Sequence, residues 1–338
     1  MRDRRSIARA AMAPLLLLVV SGIPALAIAL TPLASGLSHV LAGTAVGIVG
    51  SLYGRPVGLS AVTGSTALIA LAGLAAPWPL AAAALMAVTG VVIGACARRG
   101  WHPAAVQASA WPATLLIAAR FGVPGFDWTS HGAGQILTPA LLAALGGLWA
   151  VALAALAGAR FPRFAIAAVD PLSARLYGAA LAVLLGGVAF VAATWLPGSL
   201  AGWALLSILV IVKPGLADTR QRLLARSFGT MLGGLLAAGI ALLAPAHGVQ
   251  VALGGTAMLV ALGLYATGAS YAGYAFALTT AIVLLSSTEQ NVLAVDLQRV
   301  GLTLAAAVLV AALAAVYEPV LRAVLRKRGA DVPGSLDE

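Results

Sequence analysis

The sequence predicts an all-α polytopic membrane protein, a transmembrane helical bundle of about twelve spans arranged as two parallel six-helix repeats. Three observations carry this expectation. Of the 338 residues, 62% are hydrophobic and only 9% are charged, whereas a soluble domain carries about 25% charged residues. The apolar residues fall in runs long enough to cross a bilayer. The basic residues concentrate on alternate connections between those runs.

A crossing helix needs about 20 apolar residues, or about 17 at the low end. The first six runs are 10–30, 37–53, 57–76, 79–97, 103–120 and 135–158. The second six are 175–196, 199–213, 227–244, 249–267, 270–286 and 297–317. Short runs such as 199–213 suit tilted partners in a bundle or broken helices lining a cavity. The 38 glycines lie largely inside the runs, which suits close helix approach in lipid. Arg2, Arg4, Arg5 and Arg9 precede the first run, and Ala25-Leu26-Ala27 resembles a signal-peptidase site. Because the segment has a counterpart later in the chain, an uncleaved first span is expected.

With the N-terminus inside, only Arg120 and Arg299 of the 20 Lys and Arg residues fall outside. That asymmetry predicts both termini in the cytoplasm of a multi-pass membrane protein. It also explains the net charge of +10 as membrane orientation, so the partner is a lipid bilayer and no nucleic acid is expected. Cys96 is the single cysteine, which excludes an intramolecular disulfide and a cysteine metal cluster. His39, His102, His131 and His247 are scattered without metal-ligand spacing. No glycine-rich phosphate loop is present. No metal, cofactor or enzyme chemistry is expected.

The halves align at an offset of about 165 residues. The turn at Pro77 maps near Pro245, Arg55 onto Arg220, Gly64-Ser65 onto Gly229-Thr230, and Leu137-Thr138 onto Leu302-Thr303. An even number of spans in each half makes the repeats parallel, about an axis along the membrane normal. The expected units are 1–165 and 166–338, joined through a Pro-containing cytoplasmic linker, Gly158–Arg175, with a short cytoplasmic C-terminal tail.

The stretch Trp203-Ala-Leu-Leu-Ser-Ile-Leu-Val-Ile-Val-Lys213-Pro214-Gly215, with Asp218-Thr-Arg220-Gln-Arg222 and Arg226-Ser-Phe-Gly229-Thr230-Met-Leu-Gly233-Gly234 behind it, resembles the fusaric-acid-resistance family of inner-membrane proteins, related to aromatic-acid exporters. Gln298-Arg299-Val-Gly-Leu-Thr303 is similar to the start of that family's final helix. The resemblance is clearest over 175–320. Lys213 stands where the family usually has a neutral polar residue, and the large soluble domain of many members has no counterpart here. The resemblance implies efflux of small organic anions such as aromatic carboxylic acids, proton-coupled in one version, with a periplasmic adaptor protein and a homo-oligomer as candidate partners. A passive anion channel and a non-transporting membrane subunit of an envelope assembly are the alternatives.

The candidate substrate-binding residues are Lys213, Arg226, Arg299, Arg55, Arg220 and Tyr271. Lys213 reads as a cation at the inner mouth or as a snorkelling lysine. Arg226, placed at a helix start, repels the positive end of the helix dipole, which an anion or Asp218 would relieve; it reads equally as an orientation marker. Arg299 breaks the orientation pattern and pairs with Asp296 or faces an anion pathway. Arg55 and Arg220 stand at matching positions in the two halves and read as pathway cations or as solvated loop charges. Tyr271, with Tyr265 and Tyr274 around a Gly-rich break, suits an aromatic substrate or the interfacial belt, and Trp111 beside Pro112 suits a substrate or packing. Glu289, Asp296 and Glu318 are the carboxylates available to carry a coupling proton, and none falls in mid-membrane.

Overall fold

The computed structural model describes residues 22–327, apart from 34–35, 118–132, 159–160, 162, 165–166, 198, 245, 267–269 and 287–291. Helix α1 is described over 22–29. It is followed by α2 (Leu37–Leu52), α3 (Arg55–Ala75), α4 (Pro79–Ala97), α5 (His102–Leu115), α6 (Ala133–Ala157), α7 (Pro171–Trp195), α8 (Gly202–Ile211), α9 (Leu216–Leu243), α10 (His247–Ala266), α11 (Tyr271–Ser286) and α12 (Val292–Lys327). A helix stands at each place where a run predicts one, so the all-α, multi-helix membrane architecture holds.

The expected count of twelve spans is not reached on length and apolarity. Among the described residues, five helices are long and apolar enough to cross a membrane: Arg55–Ala75, Pro79–Ala97, Gly134–Ala157, Pro171–Trp195 and Ala217–Leu243. Two boundaries also move. The run 199–213 forms only ten helical residues, because Pro214 and Gly215 stop α8. The basic string before 227, read as a loop, is helical, and α9 begins at Leu216. Polar residues one turn apart extend an amphipathic helix as readily as they fill a loop. The starts of the first run, Arg120 and Asp127 lie outside the described residues, as do Glu289 and the side chains of Tyr265, Asp296, Arg299 and Glu318.

Local chemistry sets the helix starts. Proline occupies the first turn of α3, α4, α5 and α7, where its missing N–H costs nothing. Asp170 caps α7, its carboxylate accepting from the Leu172 and Ser173 amides at 3.0 Å each. The hydrogen bonds from Ser173 hold that carboxyl below its usual range. Gly54, at φ 117°, and Gly100, at φ 72°, supply the left-handed backbone that turns α2 into α3 and α4 into α5.

Small residues bring the helices together. Gly43 and Gly47 of α2 lie against Ala143, Gly147 and Ala150 of α6, so these two run parallel. Gly90 and Gly94 of α4 face Leu181, Ala182, Gly178 and Ala174 of α7, running antiparallel. A Cβ on Gly94 would come 2.5 Å from Gly178 Cα. Gly229 and Gly233 of α9 lie against Ala272, Ala275, Phe276 and Thr279 of α11, again parallel. These directions are the ones strict in–out alternation requires.

Within the first half α2 packs on α3 and α6, α3 on α5 and α6, and α4 on α5. Within the second half α8 packs on α9 and α12, α9 on α11 and α12, and α10 on α11. The halves meet where α4 lies along α7 and α5 crosses α8. The main core follows this seam, with Met86, Ile93, Leu181, Leu185, Leu205, Ile208 and Leu209 fully buried. Leu80, Leu156 and Leu243 are exposed by 75%, 83% and 89%, which is costly in water and neutral against lipid tails.

Candidate functional site

The connection before α7 identifies the basic face of the bundle. The Phe164 amide donates to the Leu52 carbonyl at 2.8 Å, and the Val169 amide to that of Ala97 at 3.0 Å. The C-termini of α2 and α4 and the start of α7 therefore share one end, together with Arg55, Arg98, Arg99, Arg163 and Arg175. The start of α5 reaches the same end, since His102 meets Tyr177 edge-on with ring centroids 6.0 Å apart.

At this end Thr219, in the first turn of α9, pins the connection from α8. Its hydroxyl accepts from the Lys213 amide at 2.9 Å and lies 2.9 Å from the Gly215 carbonyl as donor. Lys213 is thereby held against the bundle. Burial, followed by the neighbouring Arg222 cation, pushes its ammonium down to about 8, and Asp218 partly offsets this.

Arg222, Arg226 and Thr230 follow at four-residue intervals along one face of α9. The Arg222 guanidinium lies over the Tyr271 ring, 4.0 Å from its centroid. Tyr271 in turn stacks beside Tyr274, with centroids 5.8 Å apart. One turn deeper, Arg226 is 5% exposed and Thr230 is 3% exposed. Arg226 Nε, Ser227 Oγ, Thr230 Oγ1 and Tyr271 OH are all buried without a hydrogen-bond partner. Buried polar groups are normally satisfied. All four can donate, and Arg226 and Arg222 bring two cations to this end of α9, so a ligand with anionic oxygen acceptors suits it.

Of the sequence candidates, the structure brings Lys213, Arg226 and Tyr271 to one region. Arg226 lies well inside α9, about 15 Å from its first residue at 1.5 Å per residue, and not at the helix start. The dipole argument for it therefore fails, and burial replaces it. Asp218 acts on Lys213, and no hydrogen bond satisfies Arg226 Nε. Arg55 and Arg220 are exposed. The Arg299 side chain is among those not described.

Sequence reasoning missed Arg222, Ser227, Tyr177 and His102. The four-residue spacing of Arg222 and Arg226 was the available signal. Nothing local marks His102, which belongs here only because α5, α7 and the α8–α9 connection converge. Trp111 has a packing role, its Nε1 donating to His39 Nδ1 at 2.9 Å. Among the described residues no three His, Cys, Asp or Glu side chains group to hold a metal.

The bundle and its basic end define a polytopic, all-helical membrane protein. Residues 188–314 match the protein family described as fusaric acid resistance protein-like, so the chain carries that family's domain across most of its second half. With the long apolar helices, the match supports a role in membrane transport in general. No curated protein and no solved structure matches the chain.

Proposed function

We propose that this protein moves small organic anions, such as aromatic carboxylates, across a bacterial inner membrane in the direction of efflux. The observation that carries the reading is Arg226, a buried guanidinium with an unpartnered Nε, with the unpartnered Thr230 hydroxyl one turn on along the same face and Arg222 on the Tyr271 ring one turn back. A carboxylate supplies the acceptors that these donors lack. Tyr271 and Tyr274 offer ring surface for an aromatic group. The family match over 188–314 supports the transport class.

In this reading all twelve helices belong to the membrane domain, as six-helix repeats 1–165 and 166–338. Recurrent packing supports the duplication. The pairs α2–α3, α2–α6, α3–α5, α3–α6 and α4–α5 have counterparts in α8–α9, α8–α12, α9–α11, α9–α12 and α10–α11. The gathering of basic residues at one end supports placing that end, and both termini, in the cytoplasm.

The test is uptake of labelled benzoate into proteoliposomes, with and without an imposed pH gradient. Saturable flux that Arg226→Met reduces at least tenfold is expected. Equilibration without accumulation under any gradient points to a passive anion channel. Flux equal to that of empty liposomes overturns the transport reading.

A further inference from the structure

The second group of unpartnered polar atoms lies where the two halves join. His102 opens α5 directly after the turn that contains Arg98, Arg99 and Gly100, and it precedes the apolar run 103–120. Its Nδ1 is buried without a hydrogen-bond partner. Tyr177 of α7 is 3% exposed, and its hydroxyl is also buried without a partner. Lys213, in the α8–α9 connection, is close enough to act electrostatically on the imidazole. Two segments thus bring a phenol and an imidazole together, with the ammonium of a third within electrostatic range.

We propose that His102 takes up a proton when a carboxylate binds between Lys213 and Tyr177, so that anion binding at the basic end is proton-linked. The inference rests on the carboxylate reading above and assigns it a coupling residue. The surroundings set the sign. The α3 helix brings the apolar Val57, Ala61 and Val62 into one cluster with Ala104 and Ala108 of α5, Val46 of α2 joins it, and Tyr53 lies at its edge. The end of α4 bears Arg98 and Arg99, both exposed, and Arg99 lies over Trp101. The α7 helix presents the neutral Tyr177, and the α8–α9 connection presents Lys213, with Arg222 and the partly offsetting Asp218 of α9 acting on it. The charge that acts on the imidazole is the Lys213 ammonium, so the field there is positive. Burial first, then Lys213, lower its affinity for a proton, to a pKa of about 4, and hold it neutral at physiological pH.

An arriving carboxylate reverses this. It accepts from the Lys213 ammonium and the Tyr177 hydroxyl, and it cancels the positive field at the imidazole. A proton from solvent then binds the free Nδ1 lone pair, giving an imidazolium that donates to the carboxylate. No other bond changes. By linkage, the proton tightens anion binding by the same factor as the anion tightens proton binding. Binding therefore strengthens as pH falls from neutrality toward 5.

The experiment is proton uptake on adding benzoate to the purified full chain in weakly buffered detergent at pH 6, read with a pH-indicator dye. It is run beside the imidazole ¹⁵N shifts of histidine-labelled protein. Wild type is expected to take up as much as about one proton per bound benzoate, with one imidazole moving toward the protonated shift. His102→Gln is expected to bind benzoate with no uptake, more weakly than wild type at pH 6 and with an affinity that no longer rises as pH falls, and Tyr177→Phe to bind it several-fold more weakly with uptake retained. Benzoate binding to wild type without uptake, or undiminished uptake in His102→Gln, overturns the proton link and leaves the Arg226 site standing. Failure of wild type to bind benzoate overturns both.

Discussion

The α3–α5 pair in the first half and the α9–α11 pair in the second share a geometry and differ in what they enclose. Each pair runs parallel, with its starts at the basic end of the bundle. Between α3 and α5 lie Val57, Ala61, Val62, Ala104 and Ala108, a closed apolar cluster. On α9, about 165 residues later, Arg222 and Arg226 stand at the offsets of Val57 and Ala61. Ser65 and its counterpart Thr230 are both buried. One pair is therefore a packed scaffold and the other holds unpartnered donors. The lesson is that two helix pairs of the same geometry can differ in what they enclose. The α3–α5 contact keeps the packing that stabilises the bundle, while the α9–α11 contact carries the charge.

The comparison can be broken most severely by moving the charge. Ala61→Arg puts a guanidinium into the apolar pair without partners, at a cost of several kcal/mol. Loss of monodisperse protein on size-exclusion chromatography is the expected result. The reverse exchange, Arg226→Met, is expected to leave melting in detergent unchanged or raised, because a buried unpaired cation is replaced by an apolar side chain of similar length. Benzoate flux should fall at least tenfold. A drop in stability to match the drop in flux would make Arg226 a structural residue.

The seam between the halves gives an intermediate effect. Gly94→Leu drives a side chain into the Gly178 backbone and should cost about 1–3 kcal/mol, seen as a lower melting temperature with flux per folded molecule preserved. The smallest effects come from Lys213. Its folded pKa is lowered to about 8, below that of the unfolded chain. Stability is therefore lost as pH falls from the unfolded value toward 8, and Lys213→Met should raise melting at pH 7 by a few degrees. The ammonium attracts anions only while protonated, so flux should decline as pH rises through about 8 and stay flat in Lys213→Arg.

Much of the fold was legible because lipid makes the sequence signal strong. Apolar runs marked each helix, and the Arg and Lys pattern predicted directions that the glycine contacts between α2 and α6, α4 and α7, and α9 and α11 reproduce. The start of α9 was not legible. Asp218-Thr219-Arg220-Gln221-Arg222 is polar enough to pass for a loop, and only the bundle shows that Thr219 and Arg226 are buried. The site was half legible for the same reason. Lys213 and Arg226 stood out as charges beside apolar runs. That Tyr271 lies under Arg222, or that His102 meets Tyr177, depends on which helices become neighbours, and local pattern does not encode that.

The central claim, that an anion is held by Arg226 inside the α9–α11 pair, is tested most directly by solid-state NMR distance measurement. Benzoate labelled with ¹³C at its carboxyl would be bound to protein labelled with ¹⁵N at arginine Nε, in lipid bilayers. The expected result is a carboxyl carbon within about 4 Å of one Nε, with the coupling lost in Arg226→Lys. Bound benzoate with no such coupling, or a coupling that survives Arg226→Lys, would contradict the account.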